Sequence, residues 1–147
     1  MSKIIIKNKK AYFEYNILEK HIAGIQLQGS EVKSIRAGKV SIVEAYCFIS
    51  EGELFIKGMH ITEHKEGGKH YNHSPLRDKK LLMKKKEILK LDANLSQKGL
   101  TIVPLEVIIS NTGFVKIEIG LGKGKHLYDK RQSIKDKDIK RDLERNL

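Results

Sequence analysis

The apolar residues of this chain come in short runs rich in aromatic and β-branched types, each cut off by glycine, asparagine or proline. That punctuation limits the fold more than any other feature. Ala11–Leu18 and Gly24–Gln28 read as strands. Tyr46–Ile49 and Leu54–Ile61 read as a hairpin about Ser50-Glu51-Gly52-Glu53, where Gly52 supplies the positive φ of a tight turn. Leu100–Ile109 reads as a long strand that Pro104 confines to an edge or a bulge, and Asn111-Thr112-Gly113 turns it into Val115–Ile119.

Two stretches carry helix signals instead. Gly29–Gly38 offers Ser30 as a cap, an acid in the first turn, a base in the last and Gly38 as a stop. Ser74-Pro75 has the form of a helix start, and Leu82, Lys85, Lys86 and Leu89 give that helix one apolar and one basic face to about Leu91, with a further turn toward Gly99. Thr62–His73 reads as an exposed loop, and no internal repeat is present. Many short strands, few helices and no βαβ alternation predict a mainly β fold: a closed antiparallel barrel, either of the oligonucleotide-binding (OB) kind or SH3-like, flanked by short helices.

At 147 residues the chain supports one core. The body is expected over 1–121, with 122–147 as a basic tail. Gly120, Gly122 and Gly124 read as a flexible joint, and the tail is expected to be disordered alone, with Ile134, Ile139 and Leu143 able to line a helix on binding. No apolar run approaches the length of a membrane helix and no leader-like stretch follows Met1, so a cytoplasmic location is expected, with no membrane partner.

The net charge of +11 is gathered rather than spread. Residues 1–10 carry +4, 61–90 carry +5 and 120–147 carry +4, while the intervening stretches are each −1. Three like-charged segments repel unless a shared polyanion compensates them, which favours a nucleic-acid partner. Without a helix-turn-helix or zinc fingers, RNA is favoured over duplex DNA.

Catalytic and metal chemistry find no candidate. His60, His64, His70 and His73 lack metal-ligand spacing and cysteine neighbours. Glu31 and Glu44, the acids a nuclease would need, read equally as a helix-start acid and a solvated strand end. Cys47, the single cysteine, reads as a small buried hydrophobe. No cofactor is expected.

Five blocks are more specific: Asn8–Tyr12, Ala23–Lys39, Pro75–Met83, Lys98–Leu105 and Gly124–Arg131. In order and spacing they resemble the SmpB family, the SsrA-binding proteins. The resemblance implies an OB-type barrel that binds the tRNA-like domain of transfer-messenger RNA (tmRNA) and brings it to stalled ribosomes. It further implies an adaptor without a reaction of its own, for which a monomer fits a ribosomal site best. The tail would lie as a helix in the empty mRNA channel beside the decoding centre, and elongation factor Tu and alanyl-tRNA synthetase would be met indirectly through tmRNA.

The resemblance places RNA-gripping positions at Asn8, at the position of Ile22 and at Leu82. Ile22 stands where the family usually has Glu, so that polar contact is either absent or supplied by a neighbour such as Glu19 or His21, and Ile22 itself is not counted as a site residue. The basic neighbours Lys9, Lys10, Lys33, Arg36, Arg77, Lys80 and Lys84 complete the expected RNA-binding set. Gly124, Lys125, His126, Tyr128, Asp129, Lys130 and Arg131 form the expected ribosome-binding tail; His126 replaces a common Lys and Ile139 a frequent Trp. The rival readings are a structural ribosomal protein and a metal-dependent nuclease.

Overall fold

A computed structural model of the chain describes residues 3–63 and 73–125. The elements, in order, are β1 (Lys3–Lys7), α1 (Lys9–Glu14), β2 (Tyr15–Ile25), α2 (Gly29–Arg36), β3 (Val40–Ser41), β4 (Tyr46–Ser50), β5 (Glu53–Lys57), β6 (His60–Ile61), β7 (Lys79–Leu82), α3 (Lys85–Lys98), β8 (Thr101–Ile109) and β9 (Val115–Gly124). The fold is mainly β: a large antiparallel sheet with a few short helices. Its hydrogen-bonded order is β1-β8-β4-β5-β7-β2-β9, β9 also pairs with β8, and β3 pairs with β6 apart from the large sheet.

The interior is built by alternation. Ala23 and Ile25 of β2 face inward beside Leu54 and Ile56 of β5, Leu81 of β7, and Ile117 and Ile119 of β9. Cys47 is buried among them, and burial pushes its thiol pKa up, so it behaves as a packed hydrophobe. A second, smaller cluster of Ala11, Val103 and Leu105 lies under α1, with Tyr12, Tyr15 and Ile17 against it.

Several expectations are corrected. Ala11–Glu14 is helical rather than strand, because Asn8 accepts from Ala11 N at 3.2 Å and caps α1. The two strands expected at Ala11–Leu18 and Gly24–Gln28 are one, β2, with a register shift between Ile17 and Glu19. The cap of α2 is Gln28, not Ser30: Glu31 reaches back to accept from Gln28 N at 2.7 Å. Lys3–Lys7, to which the sequence reading assigns no element, pairs with β8. The strand expected over Leu54–Ile61 divides at Gly58, where φ is +82° and a Cβ would meet Glu44 O at 2.8 Å.

The largest correction concerns Ser74–Leu91. No helix starts at Pro75; Arg77 N donates to Ser74 O in a turn, Lys79–Leu82 forms β7, and the helix is Lys85–Lys98, ended by Gly99 at φ +62°. The alternating period of β7 is hidden in the sequence because its first inward residue is a lysine. Pro104 does sit at a register shift, between Pro104 and Glu106.

The glycines at 120 and 122 are not a joint. Both pair with β2, and both lack a Cβ because side chains cross over them: at Gly120 it would lie 2.8 Å from Leu105 Cδ1, and at Gly122 3.0 Å from Tyr15 Cβ. They let the α1 cluster pack onto the outside of β9. Strand pairing continues past Leu121 to Gly124, and Lys125 N donates to Glu14 O at 2.9 Å.

Candidate nucleic-acid interface

The register of β2 places Gly24 opposite Leu82 on one side and Lys116 on the other, and Ile22 opposite Glu118. Ala23 and Ile25 are buried, so Ile22 and Gly24 face outward. Leu82 lies on the bare backbone of Gly24, where a Cβ would come within 3.3 Å of Leu82 Cβ. The result is an apolar step, Ile22 56% and Leu82 46% exposed, beside the charged residues Lys80, Lys116 and Glu118. Lys20 lies farther along the same face, 3.9 Å from Glu118, and its ammonium sits 5.2 Å from the centre of the Tyr12 ring. Lys7 is 5.3 Å from the same ring. Tyr12 therefore draws two cations together, and its hydroxyl is the main reason the Lys20 pKa is raised. At the other end of β7, Lys80 contacts Glu53 at 3.1 Å, and a cleft of about 390 Å³ opens between that hairpin, Leu82 and Lys85.

Behind this face lies a buried charge network. Glu31, on α2, is fully buried and accepts from Arg77 Nη2 at 2.6 Å; its other oxygen is 4.0 Å from the ammonium of Lys79. Lys79 is also fully buried and donates to Met59 O at 3.1 Å and Arg77 O at 2.6 Å. Its pKa is lowered, first by desolvation, with Glu31 opposing the shift. This network fastens β7 to α2.

The expected site residues divide accordingly. Leu82 and Lys80 join the outward face. Asn8 does not: it is 2% exposed, and its amide donates to Ile42 O at 3.2 Å and Pro104 O at 3.0 Å while its oxygen caps α1. Lys9 is exposed, and Lys10 pairs with Glu44 at 3.2 Å over a cleft of about 180 Å³ beside Asn8. Glu19 and His21 meet each other at 3.2 Å on a half-buried part of β2. Arg77 is turned inward to Glu31, Asp78 O and Gln26 O. Lys33 and Arg36 are exposed on α2, and Arg36 donates to Gly113 O at 3.0 Å. Lys84 is exposed just before α3. Gly124 ends β9; Lys125 follows it.

His126, Tyr128, Asp129, Lys130, Arg131 and the expected tail helix lie outside the described residues, as do His64 and His70. His73 is buried between Ser30 Oγ at 2.9 Å and Ile61 O at 2.8 Å. Among the described residues no cluster of metal-ligating side chains occurs, and no helix is long and apolar enough to cross a membrane. Glu31 and Glu44 do not form an acid pair: the first is sealed against Arg77, and the second is exposed on Lys10.

Two residues central to this geometry are missing from the sequence reading of the site, Tyr12 and Lys79. Tyr12 left a signal, an aromatic in a basic segment. Lys79 left none.

The SmpB protein family model matches residues 5–147. The SsrA-binding protein of Cytophaga hutchinsonii is 53% identical over 140 residues, covering 95% of this chain and 91% of the relative. That of Bacillus velezensis is 50% identical over 143 residues, covering 97% and 90%. A chain solved in "tmRNA-SmpB: a journey to the center of the bacterial ribosome" is 37% identical, with a TM-score of 0.69 over 88% of this chain and 93% of that one.

Proposed function

We infer that this chain, which belongs to the SmpB family, binds tmRNA and takes part with it in trans-translation on the ribosome. The observation that carries this reading is the structural match to the tmRNA-SmpB chain, at 37% identity over 88% of this chain. The clustered positive charge and the outward step of Ile22 and Leu82 supply the physics. Cations neutralise phosphates, and exposed apolar side chains in an ordered sheet offer a surface for bases or sugars.

We further propose that the sheet, whose order β8-β4-β5-β7-β2-β9 returns to β8, closes as an OB-like barrel. Leu82 and Lys80 touch the tRNA-like domain, with Lys9, Lys10, Lys33, Arg36 and Lys84 as phosphate contacts. Asn8, Arg77, Glu19 and His21 act by holding backbone and strands in place. The body (1–121) grips tmRNA, and the tail (122–147), whose first residues pair on β2 through Gly124, enters the mRNA channel. The protein is a monomeric cytoplasmic adaptor without a reaction of its own, meeting elongation factor Tu and alanyl-tRNA synthetase only through tmRNA.

Sequencing of RNA co-purified with the protein tests the reading. One dominant small RNA, with enrichment on stalled ribosomes, is expected; equal occupancy of all ribosomes would refute it in favour of a structural ribosomal protein. Lys130→Ala with Arg131→Ala is expected to spare tmRNA affinity and abolish rescue. A matching loss of affinity would overturn the division of labour.

A further inference from the structure

The turn between β8 and β9 is held by a dense set of hydrogen bonds. Ser110 N donates to Phe114 O and Gly113 N to Ser110 O, both at 2.9 Å; Phe114 N donates to Ser110 Oγ at 3.2 Å, and that hydroxyl lies 3.1 Å from Thr112 Oγ1. Gly113 takes φ +89°, a conformation that disfavours any side chain, and its carbonyl receives Arg36 from α2. What this rigid tip presents is Phe114, 68% exposed, the most exposed large apolar side chain among the described residues. Nothing in the core needs it there.

Its position follows from alternation. Val115 is buried, so Phe114 falls on the same outward side of β9 as Lys116, and Lys116 is the register partner of Gly24, the residue under Leu82. The phenyl ring thus continues the Ile22–Leu82 face, with the exposed Arg36 tethered to the residue before it. An exposed aromatic ring beside cations suits a base: every nucleobase has a π face, and the backbone that carries the ring is already ordered by the hydrogen bonds of the turn.

We propose that Phe114 stacks on an unpaired base of the tRNA-like domain of tmRNA, extending the RNA face from β2 and β7 to the β8–β9 tip. This rests on the tmRNA reading above. The test measures affinity for a transcript of the tRNA-like domain, at several salt concentrations, for wild type, Phe114→Ala, Phe114→Leu and Phe114→Trp, with a thermal melt of each. Phe114→Ala and Phe114→Leu should bind about tenfold more weakly and Phe114→Trp close to wild type, with unchanged melting and an unchanged salt slope, since no phosphate contact is lost. Full affinity in Phe114→Ala, or equal retention by Leu and Trp, overturns the stacking inference while leaving the tmRNA reading intact. A deficit that appears only on ribosomes also overturns it. Failure of the wild-type protein to bind the transcript sinks the tmRNA reading itself.

Discussion

Replacing Glu31 by Gln isolates the charge of the buried network while keeping its shape. The wild-type carboxylate accepts from Gln28 N at 2.7 Å and Arg77 Nη2 at 2.6 Å, and stands 4.0 Å from Lys79 Nζ. A glutamine oxygen in the same place still accepts from Gln28 and Arg77, but as a neutral group; a hydrogen bond to a charged partner stabilises by about 1 kcal/mol more than a neutral one. Lys79 then loses the carboxylate 4.0 Å from it and keeps its carbonyl acceptors, with the neighbouring Asp78 a weaker opposing charge. Outright removal of a buried partner costs about 3–5 kcal/mol, but Arg77 is one-third exposed in its side chain, so solvent shares its charge. The expected loss is therefore about 2–3 kcal/mol, a large fraction of the stability of a domain this size. Urea unfolding at neutral pH measures it, with an unchanged m-value marking a change in stability alone. The tmRNA affinity should fall as well, without a change in salt slope, because β7 carries Lys80 and Leu82 and its tie to α2 is weakened. A midpoint shift equivalent to less than about 0.5 kcal/mol would refute the view that this network holds β7.

Asn8→Ala should destabilise by about 2–3 kcal/mol, since it removes the cap of α1 and orphans the carbonyls of Ile42 and Pro104; a stable variant with weak RNA affinity would instead make Asn8 a direct contact. Lys79 sets a pH dependence: with its folded pKa below 10.5, the unfolded chain binds more protons between those two values, so its contribution to stability rises with pH across that window. Melts taken up to pH about 10.5 should show the wild type gaining stability relative to Lys79→Met across that window, while the buried Cys47 thiol, held protonated in the fold, acts in the opposite direction in both proteins; profiles of identical slope would contradict it.

Much of this protein was legible without coordinates. The mainly β class follows from short punctuated runs, the β4–β5 hairpin from Gly52, α2 from its end signals, and the family from five blocks in order. These are local or cumulative signals, written in neighbouring residues. Tertiary structure alone decided that Asn8 faces inward, that Lys79 is a core residue, and that Gly120 and Gly122 are crossing points rather than a hinge. Each depends on a partner far along the chain: Pro104 for Asn8, Glu31 for Lys79, Leu105 and Ile17 for Gly120. A polar residue or a glycine has the same spelling in solvent and in a packed interior, and only the atoms brought against it determine which it is.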